Sequence, residues 1–447
     1  MMSRSRIMTE GSEIGCIISF TLPLLAGNLL QQTYNVVDTM IVGKYLGDDS
    51  LAAVGATGSI TYLFYTLCIG LSIGAGVLIS QYFGAGRPDK VRAAVVNSAV
   101  ITLIFAIVAT IPSVLFARQV LTFLGVKAKL LGRAATYMKI ACAGTICVAA
   151  YNWINSVMRA LGDSKTPLIF LIVSTILNVI LDLLFVMVFK MGVGGAAFAT
   201  ILAQGISAAS CIIYCFKTNA DIRPKEGELK IDPKLILKCV TTGIPIAAQN
   251  GLISLSMVAL QSVTNRFDES IMTAYTATMR IEQLVHQPYF SISAALTAFT
   301  GQNIGAGKQE RAVKGYKSSL KIGSVFAAVM FVLFAFFGRN VIGLFVNGSR
   351  PKEIGALALI ITGSCYIPLG AIHITRGFLN GAGDTGYSLV NGITEVVCRI
   401  VFSLVLTRIS FISWRGIWIT TAITWAITGA VSILRYKSGK WKLKAVK

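Results

Sequence analysis

The sequence predicts an all-α integral membrane protein of twelve transmembrane helices in two pseudo-symmetric six-helix bundles, and three observations predict it. The first is composition: of 447 residues, 55% are hydrophobic and 13% charged, with a mean hydropathy of +0.72, whereas soluble domains hold roughly 45–50% apolar residues. The second is the length of the charge-free stretches. Residues 14–37, 93–117, 191–216, 239–265 and 416–434 carry no charge, and each reaches the roughly 20 residues a membrane helix requires. The third is an internal repeat. Gln81, Gly84, Ala85 and Gly86 return 221 residues later as Gln302, Gly305, Ala306 and Gly307, Gly162-Asp163 returns as Gly383-Asp384, and Gly195 as Gly416. Near the start of each half, Pro23 and Asn28 match Pro245 and Asn250 at an offset of 222.

With charged segments as punctuation, the first six spans fall near 14–42, 51–83, 93–117, 134–158, 166–189 and 193–216. The second six fall near 239–265, 270–303, 320–338, 354–380, 387–407 and 413–434. The first apolar run has full spanning length and no cleavage pattern, so it is expected to stay as a span rather than act as a removed signal. Residues 217–238 are polar, with Pro224 and Pro233, and read as a linker. The expected organisation is a first lobe over 1–216, the linker over 217–238, a second lobe over 239–435 and a basic tail over 436–447. An even number of spans per repeat relates the lobes by an axis along the membrane normal and places a substrate site between them.

A net charge of +21 would suggest nucleic acid in a soluble chain. Sorting the basic residues by side gives a different reading. With the N-terminus inside, 25 Lys and Arg fall in cytoplasmic segments, 12 in the opposite loops and three (Lys139, Arg280, Arg399) in spans. The positive-inside rule then places both termini in the cytoplasm of a cell inner membrane, and the basic tail is an orientation signal able to touch anionic lipid. No nucleic-acid partner is expected. Nine cysteines lie mostly in apolar segments without CxxC spacing, which favours packing over metal.

The Gly-Ala-Gly segments resemble phosphate loops only superficially. The chain has no GxxxxGK[ST] pattern, and glycines where spans end suit helix termination. No cofactor and no ATPase subunit are expected, so an ion gradient is the energy source. Ionisable residues within spans mark function by default, which singles out Asp38 and Asp182. Gln31, Asn35 and Asp38 form a polar stripe at i, i+4 and i+7, and Asn178 and Asp182 repeat the i, i+4 spacing. The alternative role for such groups is interhelical hydrogen bonding. Asp38 matches Ala259 or Leu260 in the second half, and Asp182 matches Ser403. That asymmetry points to one cation site in the first lobe, where carboxylate and amide oxygens suit a proton or a hard cation. Burial favours the neutral form of a carboxyl, which allows protonation to couple to transport.

Arg280 with Glu282 and Glu395 with Arg399 read as locally compensated pairs, with Arg280 also able to line the cavity. His286 and His373 read as packed, hydrogen-bonded residues rather than a proton relay, and Lys139 as a snorkelling residue near a span end. Pro23 and Pro245 bend spans one and seven.

The segments Gln31-Gln32-Thr33-Tyr34-Asn35-Val36-Val37-Asp38, Ala160-Leu161-Gly162-Asp163-Ser164 and Asn178-Val179-Ile180-Leu181-Asp182, with the paired Gly-Ala-Gly repeats, resemble the multidrug and toxic compound extrusion (MATE) transporters over essentially the whole chain. The resemblance implies a V-shaped pair of six-helix lobes, membership of the DinF-like branch, and antiport of cationic or amphiphilic drugs against H⁺ or Na⁺. In that branch the cation site matches Asp38, Asn155, Asn178, Asp182 and Thr200 here, with Asp38, Asn178 and Asp182 as metal ligands if the ion is Na⁺. Substrate contacts map onto Gln31, Tyr34, Asn35, Asn152 and Arg280. The NorM-like branch places an acid in the seventh span, where this chain has Gln249 and Asn250. The expected partners are small-molecule drugs or organic cations and membrane lipid, and the expected state is a monomer. One alternative is a flippase for a lipid-linked precursor, which would prefer a basic cavity. The other is an intramembrane enzyme, for which no HExxH or Ser/His spacing is present.

Overall fold

A computed structural model describes residues 7–225 and 230–443, and within them the secondary structure is helical throughout. Lipid offers no hydrogen-bond partner to a bare backbone, so apolar runs of this length close their N–H and C=O groups within helices. The first repeat holds α1 (Glu13–Leu46), α2 (Asp48–Gly84), α3 (Pro88–Leu115), the short α4 (Ala117–Phe123), α5 (Ala128–Ala143), α6 (Thr145–Ala160), α7 (Lys165–Asp182) and α8 (Gly192–Thr218). The second holds α9 (Pro233–Thr264), α10 (Glu269–Gly305), α11 (Gln309–Gly343), α12 (Ser349–Gly363), α13 (Tyr366–Gly381), α14 (Gly386–Leu406) and α15 (Gly416–Lys437). Among the described residues, nine helical segments are individually long and apolar enough to cross a membrane, and two bent pairs raise the number to eleven. The 37-residue α10, whose interior holds Arg280, Glu282 and His286, completes twelve.

Two expected single spans are broken. α5 and α6 meet at 44° and α12 and α13 at 51°. At the first break Gly144 leaves room for Ile201, whose side chain would clash with any Cβ at that position. The Gly-Ala-Gly segments end helices as expected: α2 and α10 stop at Gly84 and Gly305, and Gly86 and Gly307 turn the chain at φ of +66° and +74°, a conformation glycine adopts without strain. Pro23 and Pro245 lie inside α1 and α9. Of the linker, 226–229, and of the basic tail, 444–447, lie outside the described residues.

The chain divides into two compact units. One gathers Leu22–Ala247, and the other takes Met8–Thr21 with the chain from Ala248 onward. Each unit holds a strap that precedes a long helix. In the second unit the Met8 N–H donates to Gln302 Oε1 at 2.8 Å, Asn303 Nδ2 donates to the Met8 carbonyl at 3.2 Å, and Arg311 donates to the carbonyls of Glu10 and Gly11 at 2.8 Å each. In the first unit Asn97 receives the Asp232 N–H at 2.7 Å and donates to the Lys230 carbonyl at 3.1 Å.

The expected Arg280–Glu282 pair does not form: Arg280 is exposed and Glu282 is buried. Residues at i and i+2 point to different faces of a helix, so the spacing cannot join them. The Glu395–Arg399 pair does form, at 2.9 Å with i, i+4 spacing. His286 packs edge-on against His373 and Trp425, with ring centroids 5.4 and 5.7 Å apart, and His373 Nδ1 meets Arg376 Nη2 at 2.7 Å. Lys139 is exposed.

Candidate functional site

Three helices of the first unit bring the predicted acids together. α7 buries Asn178 and Asp182 on one face, one turn apart, and α1 presents Asp38 so that its carboxyl meets that of Asp182 at hydrogen-bonding range. A hydrogen bond between two carboxyl groups requires a proton on one of them, because two adjacent carboxylates repel. Asn178 joins this pair to α8. With the amide assigned so that Nδ2 faces the carboxyl, Asn178 donates to Asp182 Oδ2 at 2.7 Å, and its Oδ1 accepts from the Thr200 N–H at 3.1 Å and lies 3.3 Å from the Thr200 hydroxyl, which also reaches the Ala196 carbonyl at 3.1 Å. The Tyr34 hydroxyl lies 3.3 Å from the same Thr200 hydroxyl. Thr200 thereby fixes the asparagine and a tyrosine of α1 at one point.

Asp182 is the last α-helical residue before a π-helical turn, Leu183–Val188. Such turns recur at functional sites because they displace the side chains around them from α-helical register. Several oxygens here have no protein partner: Oδ1 of Asp38, Oδ1 of Asp182, Oδ1 of Asn155 and Oε1 of Gln204. Buried oxygens are normally hydrogen-bonded, so the set suits a proton or a small monovalent cation. Among the described residues no three His, Cys, Asp or Glu side chains converge, which gives a multivalent metal little charge to hold it.

The remaining predicted residues are placed unevenly. Gln31, Tyr34, Asn178 and Thr200 line one small cavity beside the carboxyl pair. Asn155 is buried on α6 and bonded by Tyr151, which lines the same cavity. Asn152, the next residue after Tyr151, spends its amide on the Val148 carbonyl at 2.8 Å. Asn35 is exposed, and its backbone carbonyl takes the Thr39 hydroxyl at 2.7 Å. Arg280 is exposed on α10 in the second unit. Sequence reasoning missed Tyr137, which lies near enough to both Asp38 and Asp182 to feel their charge, and Gln204, which lines the cavity. Neither a tyrosine nor a glutamine in an apolar run signals such a role by itself.

Comparison with known proteins finds relatives along nearly the full chain. A family model described as MatE matches residues 23–184 and 245–405, one match per repeat. The chain is 29% identical to the probable multidrug resistance protein YpnP of Bacillus subtilis, over 97% of each chain. It is 26% identical to the probable multidrug resistance protein YoeA of the same organism, over 96% of this chain and 94% of that one. Among solved structures, an outward-facing multidrug resistance MATE family transporter of the MOP superfamily superposes with a TM-score of 0.91 at 23% identity, covering 99% of both chains.

Proposed function

Because this chain belongs to the MatE family of membrane transporters, we propose that it exports cationic or amphiphilic small molecules in exchange for H⁺ or Na⁺. The observation that carries the coupling is the Asp38–Asp182 pair, tied through Asn178 to Thr200 and surrounded by oxygens without partners. A proton shared between the carboxyls, or a Na⁺ held by Asp38, Asn178 and Asp182, reduces the pair to one negative charge, and its loss leaves two adjoining negative charges. The two charge states thus favour different packings of α1 against α7 and α8, which is what an ion-driven alternation of access requires. Asn155 supports the site from α6.

Substrate contacts in this reading come from Gln31, Tyr34, Asn35 and Asn152 in the first unit and Arg280 in the second. The polar groups fix orientation while the apolar walls accept varied shapes. Acids on α1 and α7, with none on α9, support the DinF-like branch. The excess of basic residues in alternate loops supports cytoplasmic termini in a plasma membrane, and the protein works as a monomer without an ATPase subunit.

The test is efflux of a fluorescent cationic dye from proteoliposomes under an imposed Na⁺ or H⁺ gradient, with wild type beside Asp38→Asn. Gradient-dependent efflux that disappears in the variant is the expected result, and the effective gradient names the ion. Absence of flux under both gradients in wild type would remove the drug-export reading and turn attention to a lipid-linked substrate.

A further inference from the structure

We propose that the second unit carries a proton site of its own, centred on the Glu282 carboxyl of α10, which gains and loses a proton during the transport cycle alongside the Asp38–Asp182 pair. The proposal takes its cycle from the export reading above, while the site itself rests on separate residues.

The repeat locates it. At the offset of 221, Asn178 of α7 corresponds to Arg399 of α14 and Ser174 to Glu395, while at the offset of 222 found near the start of each half Tyr34 of α1 corresponds to Ser256 of α9. The locus that holds the coupling asparagine in one repeat therefore holds a guanidinium in the other. Arg399 is fully buried. Its Nη2 donates to Glu395 Oε1 at 2.9 Å and its Nη1 to Ser256 Oγ at 2.6 Å, and its Nε has no partner.

Glu282 adds a second carboxyl to this buried group. It is 6% exposed, and its Oε1 has no hydrogen-bond partner. The Thr362 hydroxyl of α12, near the carboxyl, donates to the Ala358 carbonyl at 3.1 Å. The hydroxyl of the fully buried Tyr366, on α13, is also without a partner and lies within reach of the Glu282 charge. The charge count then decides the chemistry. Arg399 lies near enough to act on the Glu282 charge but is committed to Glu395. An ionised Glu282 would be a buried charge without a counter-ion of its own, which is strongly unfavourable unless it is neutralised.

A proton neutralises it most simply. A metal cation would have to sit near the Arg399 guanidinium with a single free carboxyl for a ligand, and among the described residues no cluster of three acidic, His or Cys side chains is available. The ionisable groups that face Glu282 are Tyr275 on its own helix, Tyr366 on α13 and Arg399, with its partner Glu395, on α14. His286 stands one turn further along α10, against His373 of α13. With Glu282 protonated, the Arg399–Glu395 pair is balanced. When the proton leaves to water, a second buried carboxylate acts on the Arg399 guanidinium that holds Ser256 of α9. This gives the second unit a proton-dependent charge beside the contact whose counterparts in the first are Tyr34 and Asn178.

The experiment measures the reversal potential of dye transport in proteoliposomes for wild type, Glu282→Gln and Glu282→Asp. Glutamine mimics the protonated acid, so the fold and the Arg399–Glu395 pair are retained. The expected result is one fewer proton exchanged per dye in Glu282→Gln and the wild-type number in Glu282→Asp. An unchanged number in Glu282→Gln means a carboxyl that stays protonated throughout, which overturns the proposal. If wild type shows no ion-driven flux, the export reading fails, and the site is judged by infrared titration of the purified protein in lipid. A protonated-carboxyl band that fades as pH rises and is missing from Glu282→Gln supports the site; identical titrations of wild type and Glu282→Gln refute it.

Discussion

On α7 the inward face carries Ser174, Asn178 and Asp182, and on the matched α14 it carries Glu395, Arg399 and Ser403. The facing helices differ in the same sense. Asp38 of α1 corresponds to Leu260 of α9, which is 1% exposed and packs with Ile271, Tyr275, Ile354 and Trp418. The first repeat thus leaves oxygens open at this locus, while the second fills it with a hydrocarbon side chain and an internal ion pair. Duplication supplies the same backbone position twice, and the side chains decide whether it holds open oxygens or an internal ion pair. A similar division appears at the repeated Gly-Asp. Asp163 bonds the first-turn N–H groups of Lys165 and Thr166 at 3.0 and 2.9 Å, whereas Asp384 is clasped by Arg435 at 2.8 and 2.9 Å.

The largest effect should come from Asp182→Asn, which removes the charge change from the pair while leaving the amide of Asn178 a partner. Ion-driven efflux is expected to fall to background with the protein still folded, as checked by thermal unfolding beside the transport assay; full efflux would erase the contrast between the repeats. Next is Arg399→Ala. Leaving Glu395 buried without its partner should cost about 3–5 kcal/mol, read as a lowered unfolding temperature, and Arg399→Met combined with Glu395→Leu should recover most of it. If the double variant is no more stable than the single one, the pair is not a self-contained charge balance.

A smaller effect is expected from Thr200→Val, which keeps the shape but deletes the hydroxyl that Tyr34 and Asn178 share. Hydrogen bonds between membrane helices average about 0.6 kcal/mol, so the apparent affinity for the coupling ion should weaken by about threefold, measured from the ion dependence of the initial rate. The smallest concerns a pair outside the spans. Lys129 meets Asp49 at 2.9 Å, and its hydrogen bond holds the Asp49 carboxyl below its ordinary range. A depressed folded value means the stabilisation is present above the unfolded carboxylate value and is lost as pH falls through the folded one. Asp49→Asn should therefore lower the unfolding temperature slightly at neutral pH and not at all in acid, with added salt shrinking the difference. Arg350, the repeat counterpart of Lys129, meets Asp268 at 2.9 Å.

Much of this was legible because charge is rare in these spans. Asp38 and Asp182 stand out against an apolar background, and their spacing from Gln31, Asn35 and Asn178 gives the face they share. The broken spans were not legible, since Gly144 reads as one glycine among 42 until Ile201 is seen to fill its place. Tyr137 escaped for a similar reason: its part at the site depends on the tertiary approach of α5, which periodicity does not encode. Glu282 was visible but misassigned. Reading it as the partner of Arg280 supplied a compensation that helix geometry forbids, and its isolation appears only when burial is known.

The strap at Met8 bears on the order in which the protein can be completed. Its partner Gln302 lies 294 residues further along the chain, and Asn303, Lys308 and Arg311 follow. A ribosome must therefore finish α10 and enter α11 before the residues ahead of α1 can settle. The Asn97 contacts of the second strap close over 133 and 135 residues, so they become available earlier. Long-range closure of this kind is slow relative to local helix formation, and a nascent chain arrested before residue 302 would carry its opening segment unattached.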